Sequence, residues 1–221
     1  MTTPIASRIE TATARLITTA DALPDDAWGV PSICEGWSRA HVLGHVALNA
    51  EGLAGALRGL TDGVPTTMYV SEEQRDTDIA TLATAAPAEI RERLRASAAA
   101  FDAALSDLGV PQDSRFERTP GGQWLRAGVV PLLRLREVEI HHADLDAGYS
   151  HADWPRESAI TFLDLAARGP MRPDCHVVAT DGGEEWTFGS PGPDAPTWTG
   201  AASALAWWAS GRDAGDLVTP A

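Results

Sequence analysis

The 221-residue chain reads as mainly α, a four-helix bundle over residues 1–150 followed by a small α+β domain over residues 151–221. Two observations predict this. Four long stretches before Gly148 repeat apolar residues at intervals near 3.6, and after Gly148 the rhythm breaks into short apolar runs around glycine turns. With 44% hydrophobic residues the chain can bury one good core and a small second one. It shows no internal repeat of fixed period and no low-complexity tract.

The first helix is marked by Ile5, Ile9, Leu16 and Leu23 and ends at the loop Leu23-Pro24-Asp25-Asp26. Ser38 has the chemistry of an N-cap for the second, with Trp37 placed to staple Val42, and the apolar stripe Val42, Leu43, Val46, Ala50, Leu53, Leu57 carries it to Gly59. A loop rich in Thr, Gly and Pro follows. Pro87 suits a first helical turn, and Ile90, Leu94, Phe101, Leu105 and Leu108 define the third helix. Residues 109–127, with Pro111, Pro120 and Gly121-Gly122, read as a long connection of the kind often kept for function. The fourth helix spans 129–147. It has Leu132, Leu135, Val138, His142 and Leu145 on one side and Glu137, His141 and Asp144 on a neighbouring one. In the second domain, 159–167 and 201–210 read as helices, and 175–180 and 185–188 as strands around Asp181-Gly182-Gly183.

Charge narrows the partners. With 31 acidic against 17 basic residues the net charge is -14, which disfavours phosphate backbones and anionic lipid. An anionic small molecule would need guanidinium groups gathered at its pocket. Two cysteines, Cys34 and Cys175, fit a reducing, cytoplasmic setting better than a disulfide framework. The N-terminal stretch lacks the pattern of an export signal, and no run approaches the roughly 18 apolar residues of a membrane span. No obligate protein partner is evident.

Chemistry concentrates in Arg136-Glu137-Val138-Glu139-Ile140-His141. Glu137 and His141 are four apart on a helix, so a carboxylate and an imidazole leave one face a turn apart and can close on one metal ion. A second imidazole can come from His41 or His45, also four apart, and periodicity does not choose between them. Two nitrogens and one oxygen from two helices form the kind of three-ligand set that catalytic zinc uses, with its fourth position open. Glu139 points away from its neighbours and is expected in solvent, His142 is expected to pack, and Asp144 is a candidate to orient a ligand ring.

Three motifs carry a resemblance. Glu35-Gly36-Trp37-Ser38-Arg39-Ala40-His41-Val42-Leu43-Gly44-His45-Val46-Ala47, then Thr67-Met68-Tyr69-Val70-Ser71, then Leu135-Arg136-Glu137-Val138-Glu139-Ile140-His141-His142-Ala143-Asp144-Leu145 together resemble the mycothiol-dependent maleylpyruvate isomerases of the DinB-like metalloprotein superfamily. The run Ala204-Leu205-Ala206-Trp207-Trp208-Ala209-Ser210-Gly211-Arg212 extends the resemblance over most of the chain. The first and third motifs are shared by many mycothiol-using relatives, whereas the Met-Tyr-Val-Ser segment points to the isomerase branch.

The resemblance implies zinc held by His45, Glu137 and His141, with His41 outside the site. It implies mycothiol as a cofactor thiol that adds to the cis double bond of maleylpyruvate, lets the adduct rotate, and leaves to give fumarylpyruvate. Zinc would ionise the thiol, which with a pKa of about 8.5 is otherwise largely protonated at neutral pH. Arg212 is the first candidate for stabilising the dicarboxylate and its developing charge, Arg75 the second, and Tyr69 a candidate hydrogen-bond donor. The bundle would carry the metal and the C-terminal domain would contribute Arg212, with the ligands in a crevice between them. Two other readings compete: a mycothiol S-transferase on the same scaffold, and a non-enzymatic zinc-binding regulator.

Overall fold

A computed structural model describes residues 4–169 and 174–220. These divide between Ala147 and Gly148 into two compact units. The first holds α1 (Ile5–Ala22), α2 (Arg39–Asp62), α3 (Glu72–Leu82), α4 (Pro87–Ser106) and α5 (Val130–Asp144), with a hairpin of β1 (Arg115–Glu117) and β2 (Trp124–Arg126). The second holds α6 (Arg156–Ala166), β3 (Cys175–Ala179), β4 (Glu185–Phe188), β5 (Thr197–Gly200), α7 (Ala202–Ala209) and β6 (Val218–Pro220).

The four expected long helices are present as α1, α2, α4 and α5. Their apolar stripes form the core, with Leu16, Leu43, Leu53, Leu57, Ile90, Leu94 and Leu135 fully buried. Helix α2 is central and packs on α4, α3 and α5, and α5 in turn packs on α1. Its start is fixed by a capping box. Ser38 Oγ accepts from the His41 amide, and His41 Nδ1 lies 3.3 Å from the Ser38 amide nitrogen. Its end is fixed by Gly63, whose φ of 68° is the left-handed conformation that terminates helices.

The connection after α2 differs from expectation, because residues 72–82 form a helix rather than loop. Ser71 caps it, Glu72 and Glu73 favour its positive end, and only Ile79 and Leu82 are buried. The long connection at 109–127 also acquires structure. Arg115, Phe116 and Glu117 pair antiparallel with Arg126, Leu125 and Trp124. The ladder continues outward, since the amides of Met68 and Tyr69 donate to the carbonyls of Glu117 and Arg118 at 3.0 and 2.8 Å. The same segment rests on Gly52 of α2, where a Cβ would lie 2.8 Å from the Met68 carbonyl oxygen. Glycine there lets the segment lie against the helix backbone.

In the second unit the strand order is β4-β3-β5-β6, with β3 and β5 parallel and the other pairs antiparallel. Strands β5 and β6 add to the two expected from the pattern. Helices α6 and α7 pack together. Trp154, Phe162 and Trp207 form one aromatic cluster, and Trp208 packs on Phe188 and Trp198. No helix among the described residues is long and apolar enough to cross a membrane.

Candidate metal centre

Helix α2 presents His45 to the face of α5 that carries Glu137 and His141. His45 Nε2 lies 2.9 Å from Glu137 Oε2, and His141 Nε2 lies 3.5 Å from the same oxygen. The three donors fall within 4.8 Å of one another. Donors around a tetrahedral zinc with bonds of 2.0–2.1 Å are about 3.3 Å apart, so this set fits the ion by both chemistry and spacing. Between the two histidines that spacing allowed, the fold selects His45, while His41 is spent on the Ser38 cap.

Electrostatics prepares the cluster. Burial lowers the His45 pKa to about 4, overriding its hydrogen bond to Glu137, so this ring is neutral at physiological pH as a ligand must be. Burial alone would raise Glu137, but hydrogen bonds with His141 and His45 outweigh it and hold the carboxyl well below its usual range. Burial would likewise lower His141. The carboxylate of Asp144, the Cys34 thiol and Glu137 instead hold it well above 6.5. Asp144 is fully buried, with Oδ2 2.8 Å from His141 Nδ1. A carboxylate at that nitrogen leaves Nε2 as the atom facing the cluster.

The loop before α2 closes one side. The Ile33 amide donates to the Asp144 carbonyl at 2.9 Å, and Arg39 Nε to the Leu145 carbonyl at 2.7 Å. Cys34 Sγ lies 3.2 Å from Asp144 Oδ2, and the Trp37 ring lies 5.4 Å from His45. A pocket of about 300 Å³ results, lined by Cys34, Glu35, Trp37, His45, Asn49, Arg75, Arg118, Glu137 and His141.

Two guanidinium groups enter that pocket. Arg75, in the first turn of α3, places Nη2 3.2 Å from His45 Nδ1 and Nη1 2.6 Å from Asp76. Arg118 grips Glu72 through two hydrogen bonds of 2.7 and 2.9 Å. Both lie near the Tyr69 ring, at 5.7 and 5.0 Å from its centroid. Burial raises the Tyr69 pKa, so its phenol stays protonated and able to donate. Tyr69 and Arg75 also line a neighbouring cavity of about 270 Å³.

Several expectations need correction or addition. Glu139 is not solvated: it is 1% exposed and accepts from Arg15 Nη2 at 2.7 Å, because α1 covers the face opposite Glu137. His142 is buried on that side, 2.7 Å from Thr19 Oγ1. Arg212 belongs to the second unit, where Nη1 donates to the Ser210 carbonyl at 2.8 Å and the guanidinium lies 5.7 Å from the Trp207 ring. Sequence reasoning overlooked Arg118, although it sits in the connection singled out as functional. It also overlooked Asn49, one turn past His45 on the same helix, and Arg134, whose polar character in an apolar stretch was the available signal.

A helical bundle with a two-histidine, one-carboxylate cluster opening on a pocket defines the class of protein. Residues 9–146 match the family model for the mycothiol maleylpyruvate isomerase N-terminal domain, and the chain belongs to that family. It is similar to a crystal structure of the mycothiol-dependent maleylpyruvate isomerase, with a TM-score of 0.88 and 26% identity over 100% of this chain and 96% of that one. A histidine-to-alanine mutant of such an isomerase matches at TM-score 0.87, with the same identity and coverage. No curated protein matches the chain.

Proposed function

We propose that this chain is a zinc- and mycothiol-dependent cis-trans isomerase that converts maleylpyruvate to fumarylpyruvate. The observation that carries the reading is the convergence of His45, Glu137 and His141 on one point, beside Arg75 and Arg118, in a member of this family. His45, Glu137 and His141 would hold the metal. Zinc bound there supplies a Lewis acid that keeps a thiol ionised at neutral pH.

The chain's residues do the rest. Arg75 accounts for one substrate carboxylate, and its present contact with His45 Nδ1 is that of a ring carrying its proton on Nε2. A ring that ligates through Nε2 carries the proton on Nδ1 and no longer accepts from Arg75, which leaves the guanidinium for an anion. Tyr69 donates a hydrogen bond to a bound ligand, and Arg212 serves the second carboxylate and the charge that develops on addition. As sulfur bonds to one alkene carbon, the π electrons pass to the conjugated carbonyl as an enolate. Rotation about the resulting single bond and collapse of the enolate expel the thiol unchanged. Two guanidinium groups in one pocket of a chain with net charge -14 support an anionic small-molecule substrate. The same acidity disfavours nucleic acid, and the site lies in the cytoplasm by the reading of its cysteines.

Zinc-loaded protein, mycothiol and maleylpyruvate, followed by the absorbance of the cis compound and by free-thiol titration, test this. Isomerisation with the thiol pool unchanged is expected. Thiol consumed in step with electrophile points instead to a mycothiol S-transferase. Zinc required for folding with no thiol-dependent turnover points to a regulator.

A further inference from the structure

Arg134 is an unusual presence beside this pocket. It is 1% exposed, its guanidinium lies 5.7 Å from the Phe101 ring, and the charges of Glu137 and Asp102 act on it. Nη1 donates to the Val46 carbonyl and to Asn49 Oδ1, each at 2.9 Å, while Nη2 is buried without an acceptor. Burial lowers the Arg134 pKa only to about 10, so the group remains a cation at neutral pH. Burying such a charge is costly, and its hydrogen bonds go to the neutral oxygens of Val46 and Asn49.

The contact fixes the Asn49 amide. A guanidinium has donors only, so the atom facing Arg134 must be Oδ1, and the NH2 group is turned the other way. Asn49 is 5% exposed and lines the pocket one helical turn beyond His45. Its Nδ2 has no acceptor among the described residues. A donor with a fixed direction, polarised by a cation behind it, is therefore presented at the pocket wall.

We propose that Asn49 donates a hydrogen bond through Nδ2 to the substrate oxygen that gathers negative charge as the thiol adds, and that Arg134 is the positioning residue that holds and polarises it. This rests on the isomerase reading for the reaction but not for the donor itself. A preorganised donor of this kind binds the oxygen, or a carboxylate oxygen in its place, in the ground state and holds it more tightly as negative charge develops.

The test uses zinc-loaded full-length protein and two probes. In Asn49→Asp one carboxylate oxygen still accepts from Arg134 while the other turns an acceptor to the pocket. The expected result is wild-type zinc content and unfolding temperature with kcat lower by about 100-fold. Turnover within threefold of wild type overturns the proposal. In Asn49→Ala, calorimetric affinity for maleate without thiol should fall about tenfold. Equal affinity, or a wild type that binds no maleate, also overturns it. Arg134→Met should lower kcat with KM nearly unchanged; if that variant does not fold, the Asn49 pair still decides. Wild-type protein that binds maleate through Asn49 yet fails to isomerise maleylpyruvate would sink the isomerase reading and leave the donor standing.

Discussion

Helix α5 turns a glutamate and a histidine towards α2, and another glutamate and histidine towards α1. On the α1 side Glu139 meets Arg15 and His142 meets Thr19, so each polar group has a partner suited to it. On the α2 side Glu137 and His141 meet a third titratable group, His45, and a pocket lies beyond. Both couples are shielded from water to a large degree. What separates them is that the α1 side gives each group its own contact on the neighbouring helix, whereas on the α2 side three ligand atoms converge on one point beside a pocket. Burial of polar groups is thus a poor marker of a site compared with convergence of like ligand atoms.

That contrast is best broken by exchanging losses across the helix. His45→Ala should abolish stoichiometric zinc by metal analysis and lower turnover by about 1000-fold or more, whereas His142→Ala should keep zinc and turnover within a few-fold. Loss of zinc from His142→Ala would erase the distinction. Next in size, Arg75→Ala and Arg212→Ala should each lower kcat/KM by about 100-fold with zinc content unchanged. Undiminished kcat/KM in Arg212→Ala removes the second unit from the reaction.

Acidity sharpens the comparison further. His141 has its pKa raised above 6.5 in the metal-free protein, so zinc must displace its proton, and apparent affinity should fall about tenfold per unit as pH drops below that raised value. His45, with a pKa of about 4, is already neutral and adds no slope until the pH nears that value. Competition titrations with a chelator between pH 5 and 8 read this directly; a flat profile contradicts it. The smallest effect belongs to the α1 side. Glu139→Gln should leave activity intact and cost about 1 kcal/mol, because Arg15 is 33% exposed and screened by solvent, lowering the unfolding temperature by about 2–4 °C.

Much of this arrangement was legible in the residues. Four helices follow from apolar periodicity, and the Glu137–His141 couple follows from its spacing. The choice of His45 over His41 did not follow from periodicity; the resemblance supplied it, and the Ser38 cap gives the physical reason. Glu139 was misread because a polar position on a helix looks solvated until a neighbouring helix covers it. Helix α3 escaped because its capping and first-turn charge, rather than an apolar stripe, define it. The hairpin escaped because three-residue strands show too little alternation, and Arg118 was missed with it.

The wall opposite α5 has a different kind of consequence. Met68 and Tyr69 are tied to residues 117 and 118 through main-chain atoms, and Glu72 to Arg118 by one fork. Backbone attachments ignore side-chain identity, so this flap can drift or be swapped between relatives as a cassette while the cluster on α2 and α5 stays fixed. Selectivity for new electrophiles has, in this architecture, a route of descent that leaves His45, Glu137 and His141 untouched while the groups beside them change.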